Sequence, residues 1–344
     1  MSVFTLAQAD REAALLPQLN DLTAHHRTAS AEYARLLAAL DAPPAASVAD
    51  LPWLPVRLFK RHVLKSIPDE DVFKVLTSSG TTGDVSRIYL DKEAAGTQQK
   101  MLAATMREVL GPKRLPMLLV DTKALFTNRR SFSARGAGVL GMMNFGRDHT
   151  FVLDEEDRPD VQAVRDFLAK HGDQPFLIFG FTFMAWQYLY EVARAEGLDL
   201  SHGILIHSGG WKKLADRAVD NATFRRAFAE TGLTRIHNFY GMVEQIGVVY
   251  LEGPDGDALY CPDHADVIIR DPETWREQPV GVPGVVEVLS TLPRSYPGHV
   301  LLTEDLGVVH GIDDGAWPGK RFAILGRLPR AEARGCSDTF QGVR

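Results

Sequence analysis

Between residues 117 and 238, short apolar runs alternate with helix-length stretches, and no other feature limits the possible fold as strongly. Met117-Leu-Leu-Val-Asp121, Phe176-Leu-Ile-Phe179, Ile204-Leu-Ile206 and Arg235-Ile-His-Asn238 read as buried strands, with helices expected over 161–170, 182–195 and 214–230. Strands covered on both faces are continuously apolar rather than alternating, so the pattern predicts a mainly parallel sheet clad in helices. Upstream, Phe73-Lys-Val-Leu-Thr77 and Ser86-Arg-Ile-Tyr-Leu90 alternate like half-exposed strands around a Gly/Ser/Thr loop. Beyond Tyr250 the pattern changes. Val267-Ile-Ile-Arg270, Val285-Val-Glu-Val-Leu289, His299-Val-Leu-Leu-Thr303 and Val308-Val-His310 follow closely, with Pro and Gly turns and no helix between them, which predicts an antiparallel sheet or partial barrel. A helical stretch over 6–40 and an Ala/Pro-rich connector over 42–49 precede these elements, and a polar, basic tail follows Gly326.

Several function classes fall away on composition. Lys+Arg 38 against Asp+Glu 44 gives a mild net charge of -6, spread along the chain, with no basic stripe for nucleic acid. Apolar runs such as 176–183 fall far short of the roughly 20 residues that a membrane helix needs. Met1-Ser2-Val3-Phe4 lacks the basic flank and apolar run of a secretion signal. Two cysteines, Cys261 and Cys336, make no disulfide framework, so a reducing cytoplasm is expected.

Three motifs carry chemistry. Thr77-Ser78-Ser79-Gly80-Thr81-Thr82-Gly83 packs five hydroxyl residues and two glycines into seven positions. Such a loop can wrap a phosphate, because glycine lets the backbone approach the anion. It lacks the Gly-Lys-Ser/Thr ending of a Walker A loop and lies between strands, and alone it also fits a solvated hairpin turn. Asn238-Phe239-Tyr240-Gly241-Met242-Val243-Glu244-Gln245 follows a predicted strand end, where ligands gather in open α/β sheets. An aromatic there can stack on a purine and Glu244 can hold magnesium, although a strand end with a surface glutamate fits as well. Thr303-Glu-Asp-Leu-Gly307 puts an acidic pair at an expected strand end, where a carboxylate can accept both hydroxyls of a ribose.

In this order the motifs resemble the adenylate-forming superfamily of acyl-CoA synthetases, luciferases and peptide-synthetase adenylation domains. The resemblance covers about 77–327 and implies that family's large-domain fold, with ATP and Mg2+ as cofactors. It implies that the Thr77–Gly83 loop grips the ATP phosphates, that Tyr240 stacks on adenine within Asn238-Phe239-Tyr240-Gly241, and that Glu244 is the magnesium ligand. It further implies that Asp305 binds the ribose with help from Arg327, and that Ser208-Gly209-Gly210 is the glycine turn against the adenine. Val243 stands where the family carries threonine, and Leu328-Pro329 where it carries a hinge aspartate. The chain also ends too soon for the family's mobile C-terminal domain, which carries the usual catalytic lysine. Lys212 or Lys213, just after the glycine turn, is a candidate to stand in for it, although a helix N-terminus with exposed lysines fits the same residues as well.

One branch is similar over nearly the whole length: the acyl-protein synthetases of the LuxE type, the ligase component of the bacterial bioluminescence fatty-acid reductase. Leu58-Phe-Lys60, Ser208-Gly-Gly-Trp-Lys212 and Arg334-Gly-Cys-Ser337 carry the similarity. It implies activation of a carboxylic, fatty acid to acyl-AMP and transfer to Cys336 as a thioester, for a reductase, acyltransferase or carrier protein. Arg330 and Arg334 near that cysteine favour the thiolate. Two rivals are direct transfer to CoA or a carrier, and a non-catalytic binding subunit. The chain divides into 1–60 (helical), 61–250 (α/β nucleotide-binding core), 251–325 (antiparallel) and 326–344 (tail with Cys336). Cys261-x-x-His264, His207 and His237 are expected to be structural, and the aromatic stripe Phe179, Phe181, Phe183, Trp186, Tyr188 mostly core.

Overall fold

The computed structural model describes residues 2–38, 44–78, 85–126, 134–211 and 216–328. They form two compact units, one of Val109–Phe239 and one of Met1–Glu108 with the described chain from Tyr240 on. The strands are β1 (Leu54–Pro55), β2 (Lys74–Thr77), β3 (Arg87–Leu90), β4 (Leu115–Thr122), β5 (Gly146–Leu153), β6 (Phe176–Phe181) and β7 (Gly203–Ser208). They continue as β8 (Arg235–Tyr240), β9 (Tyr250–Glu252), β10 (Leu259–Tyr260), β11 (Ala265–Arg270), β12 (Gly284–Ser290), β13 (Val300–Ile312) and β14 (Lys320–Arg327).

The apolar runs of 115–240 are strands of a parallel sheet in the order β8-β7-β6-β4-β5. Every residue of β6 is buried, as a parallel strand covered on both faces must be. β5 goes beyond the expected set; its polar first half, Gly146-Arg-Asp-His149, hides an edge strand that pairs, among the described residues, with β4 alone. The helix expected over 214–230 begins at Asn221, because the Asp220 carboxylate accepts the Thr223 N–H at 2.7 Å and caps it there. The parallel direction brings Thr182, Ser208-Gly209-Gly210 and Asn238-Phe239 to the carboxyl ends of β6, β7 and β8. That edge is where open α/β sheets bind ligands.

The other unit carries the antiparallel path β11-β12-β13-β14-β10-β9, with β1 running parallel to β13 and β2-β3 forming a separate hairpin. The strands expected over 299–303 and 308–310 are one 13-residue strand, β13. Its register against β14 shifts at Leu306/Gly307, so the Glu-Asp-Leu-Gly sequence expected at a strand end is a bulge within a ladder. β14 takes in Gly326 and Arg327, which had read as the start of the tail, and sets Arg327 opposite Asp305. The expected 6–40 helix is two, Gln8–Ala29 and Ala31–Ala38. The first buries Leu15, Leu19 and Leu22 against Ile268, Leu289 and Val300. No helix among the described residues is long and apolar enough to cross a membrane.

The first helix also brings two histidines into the core. His26 Nε2–H donates to Pro293 O at 3.0 Å and its Nδ1 accepts from Ser66 Oγ at 2.7 Å. The His299 ring lies 4.9 Å away, with its Nε2 2.9 Å from Thr23 Oγ1. Burial pushes His26 down to about 2, reinforced by His299, and pushes His299 down to about 3, reinforced by His25. Both therefore stay neutral in the fold while the unfolded chain takes up protons below about pH 6.5. Unfolding free energy should fall on acidification below that pH, by about 1.4 kcal/mol per pH unit for each histidine. Urea unfolding at pH 7, 6 and 5 checks this, and a flat profile would mean that the pair titrates in the native state.

Candidate active site

The hairpin β2-β3 presents the Ser/Thr/Gly loop. Thr77, at the end of β2, pairs with Arg87, and beyond it Ser78 and Ser86 close the neck. Ser78 N–H donates to Ser86 O at 3.2 Å, and Ser86 N–H donates to Ser78 Oγ at 2.9 Å. Ser79, Gly80, Thr81, Thr82 and Gly83 lie outside the described residues, as do Lys212, Lys213 and Cys336.

Glu244 lies in the short helical turn Val243–Gln245 and is only 5% exposed. Burial raises its carboxyl above the usual range; the Ser86 hydroxyl beside it and the Arg327 charge oppose that rise, while Glu304 adds to it. A buried carboxylate so raised is poised for a cation, whose charge would restore the ionised form. Val243 packs its side chain against the core.

Asp305 has partners on both oxygens. Tyr240, the last residue of β8, donates its hydroxyl to Oδ2 at 2.7 Å, and Arg327 Nε lies 3.1 Å from Oδ1. Burial and the Asp305 charge hold the Tyr240 hydroxyl protonated, well above its usual range. Asp305 N–H donates to Thr303 Oγ1 at 3.1 Å, and Thr303 Oγ1 donates to Val286 O at 2.7 Å. The neighbouring acid takes a different role: Glu304 Oε1 accepts from Arg57 Nε at 2.7 Å, and its main-chain oxygen accepts from Leu328 N–H at 3.0 Å. Arg57 escapes a sequence reading, because nothing in Val56-Arg57-Leu58 marks a partner so remote in the chain.

The glycine turn belongs to the parallel unit. Gly209 has φ +82°, a left-handed conformation that glycine adopts without strain. Thr182 Oγ1 donates to Gly209 O at 2.7 Å, with Ser208 O at 3.1 Å, and stands 3.0 Å from His207 Nδ1. Its one proton goes to the carbonyls, so His207 Nδ1 carries the hydrogen and donates to it. His207 stacks on Phe224 with ring centres 4.7 Å apart, and burial, Arg225 and His237 push it down to about 3. It is a neutral support of the turn, which agrees with its structural reading. Thr182 was not among the expected site residues; its position after the apolar run 176–181 was the available signal. Of the aromatic stripe, Phe179, Phe181, Phe183 and Tyr188 are buried. Cys261 is fully buried, and burial followed by the Asp266 charge pushes its thiol up, so it stays protonated.

A family model described as acyl-protein synthetase, LuxE, matches residues 5–343. Among curated proteins, the long-chain-fatty-acid–luciferin-component ligase of Aliivibrio fischeri is 23% identical over 309 residues, spanning 86% of this chain and 79% of that protein. The ligase of the same name from Vibrio harveyi is 24% identical over 296 residues, with 84% and 76% covered. Among solved structures, a 2-hydroxyisobutyryl-CoA ligase in complex with 2-HIB-AMP shares the fold at TM-score 0.69 and 19% identity, over 94% of this chain and 69% of that one. ATP-bound MatB from Rhodopseudomonas palustris aligns at TM-score 0.50 and 18% identity, over 76% of this chain and 49% of that one.

The Asp305 arrangement has a measurable cost of removal. Asp305→Ala should lower the unfolding free energy by about 1.5–3 kcal/mol for each charged hydrogen bond lost. Tyr240→Phe should do so less, and the double variant should fall short of the sum. Denaturant unfolding of the three variants checks this, and strictly additive losses would show that the hydroxyl and the carboxylate are not coupled.

Proposed function

The chain belongs to the acyl-protein synthetase, LuxE, family, and on that footing we propose that it is an AMP-forming ligase that activates a carboxylic, fatty acid with ATP and passes the acyl group to a protein thiol. The observation that carries this reading is the Asp305 carboxylate. An ionised carboxylate offers about four lone-pair sites. With one donor on each oxygen, from Tyr240 and Arg327, one site on each remains. That pair suits the two adjacent hydroxyls of a ribose. Support also comes from the ligand-bearing relatives of the same fold, one holding an acyl-AMP and one ATP.

In this reading a carboxylate oxygen attacks the α-phosphorus of ATP, the bond to the β-phosphate bridge oxygen breaks, and pyrophosphate leaves. The Thr77–Gly83 loop holds the β- and γ-phosphates, Tyr240 and Ser208-Gly209-Gly210 hold the adenine, and Lys212 neutralises charge on the transferring phosphoryl group. Glu244 would hold magnesium, which supplies charge neutralisation to the leaving pyrophosphate. The Cys336 thiolate then attacks the acyl carbonyl and AMP departs, leaving a thioester. A reductase would be the next acceptor in this reading. Two cysteines in the whole chain and the absence of a membrane-length helix among the described residues support a cytoplasmic setting.

Acid-dependent exchange of labelled pyrophosphate into ATP tests the first half, and its absence with every acid tried would set the reading aside. The second half separates the two cysteines. Cys336→Ser should keep the exchange but lose the hydroxylamine-labile acyl group, because a serine hydroxyl is far less ionised than a thiol. Cys261→Ser should label like wild type, since that thiol is buried and protonated. Intact mass after incubation with acid and ATP reads both, and normal labelling of the Cys336 variant would point to direct transfer to an external thiol.

A further inference from the structure

The parallel unit grips its glycine turn from one helix, at two places. Thr182–Met184, Ala185–Tyr190 and Glu191–Glu196 run on as a single helix that leaves the end of β6. Thr182 opens it and donates its hydroxyl to Gly209 O at 2.7 Å. Four residues on, on the same face, Trp186 packs edge to face with Trp211, the residue that follows the turn. The two ring centres are 5.5 Å apart and the planes cross at 69°. Both indoles are half-buried. Trp186 also lies 4.7 Å from Tyr190 and 5.9 Å from Phe224, and Trp211 meets Phe224 at 6.3 Å.

Two glycines make this turn loose by nature, since glycine has the most backbone freedom to lose. A Cβ built on Gly210 would meet nothing within 4 Å. The incoming limb is held by the pairing of β7 with β6 and β8 and by the Thr182 hydroxyl. Among the described residues, the main chain of Gly210 and Trp211 makes no hydrogen bond, and ring packing is what holds the outgoing limb. Edge-to-face aromatic pairs at this spacing attract beyond the area they bury. The helix is itself modified at this point. Glu191 N–H bonds to Trp186 O, five residues back, and Ala185–Tyr190 is wound as a π-helix. Such wide turns are rare, and where they persist they frequently mark functional sites. Of the aromatic stripe that reads as core in the sequence, Trp186 is the member that stays half-buried.

We propose that Trp186 is a positioning residue for nucleotide recognition. By packing on Trp211 it fixes the outgoing limb of the glycine turn, as Thr182 fixes the incoming one, and so presents the turn to the base in one shape. The inference rests on the ATP-dependent reading above and adds to it a residue that no motif contains. Its effect is on the fraction of molecules whose turn already has the binding shape, and apparent affinity scales with that fraction. Losing the ring pair therefore weakens the binding of ATP and leaves the chemistry on bound ATP alone.

Acid-dependent exchange of labelled pyrophosphate into ATP tests this with an internal control. Trp186→Ala should raise the KM for ATP by about 5- to 10-fold, the scale of one lost aromatic pair. The kcat and the KM for pyrophosphate should not change, as befits a loss of binding alone. Trp186→Phe, which keeps a ring against Trp211, should restore the wild-type KM. Trp211→Ala removes the partner ring without touching the helix and should reproduce the rise, so the test survives if Trp186→Ala fails to fold. The double alanine variant should rise no further, because both changes delete one contact. A wild-type KM for ATP in folded Trp186→Ala would overturn the proposal and leave the ATP reading standing. A joint loss of kcat and of affinity for both substrates, without rescue in Trp186→Phe, would overturn it as a plain loss of packing. Additive effects of the two alanine changes would overturn it as well. Absence of exchange from the wild type would remove the proposal together with the reading it rests on.

Discussion

Asp305 places a carboxyl group in a strand interior with 6% of its surface exposed. A carboxylate taken out of water is tolerated only when donors replace the lost hydration. Here they come from two places: Tyr240 at the end of β8, and Arg327 directly across the ladder on β14. β13 passes through its bulge without turning, and although the register shifts there, its pairing with β14 continues to Arg327, the last residue of β14. Glu304, next in the chain, is neutralised independently by Arg57 from the segment after β1. Two adjacent acids thus stand side by side, each with its own cation.

The same economy of partners distinguishes Glu244. Asp305 is answered by a hydroxyl and a guanidinium, whereas Glu244 is buried with the Ser86 hydroxyl beside it and feels Arg327 only as a more distant charge. One carboxylate is answered by a phenol and a guanidinium, the other by a serine hydroxyl and its own main-chain N–H. On the proposed reading the first would take the hydrogen bonds of a neutral sugar, and the second a cation that arrives with its own phosphates. In the parallel unit, the Thr182–His207 pair fixes the glycine turn with neutral groups alone.

Much of this was legible in the sequence, because it depends on local pattern. Continuous apolar runs such as Phe176–Phe181 marked parallel strands, and the loss of helical spacing after Tyr250 marked the antiparallel sheet. What stayed hidden depends on pairing between distant residues. β14 begins with Lys320, which looks solvent-bound but is buried, with its Nζ 3.4 Å from Asp266 and 2.9 Å from Val267 O. The acidic pair read as a strand end because a bulge and a strand end share glycine and charge, and only the opposing strand tells them apart. Arg57, Thr182 and Ser86 sit in no motif. Their partners, Glu304, Gly209 and Glu244, are far away in sequence, and it is the fold that selects them.

The central claim is that a carboxylate oxygen attacks the α-phosphorus of ATP. It is tested most directly by supplying a fatty acid labelled with oxygen-18 in its carboxyl group and locating the label after acyl transfer. One labelled oxygen in the phosphate of AMP, with none in pyrophosphate, is the result this account requires. Label in inorganic phosphate together with ADP would place the attack on the γ-phosphorus and contradict it.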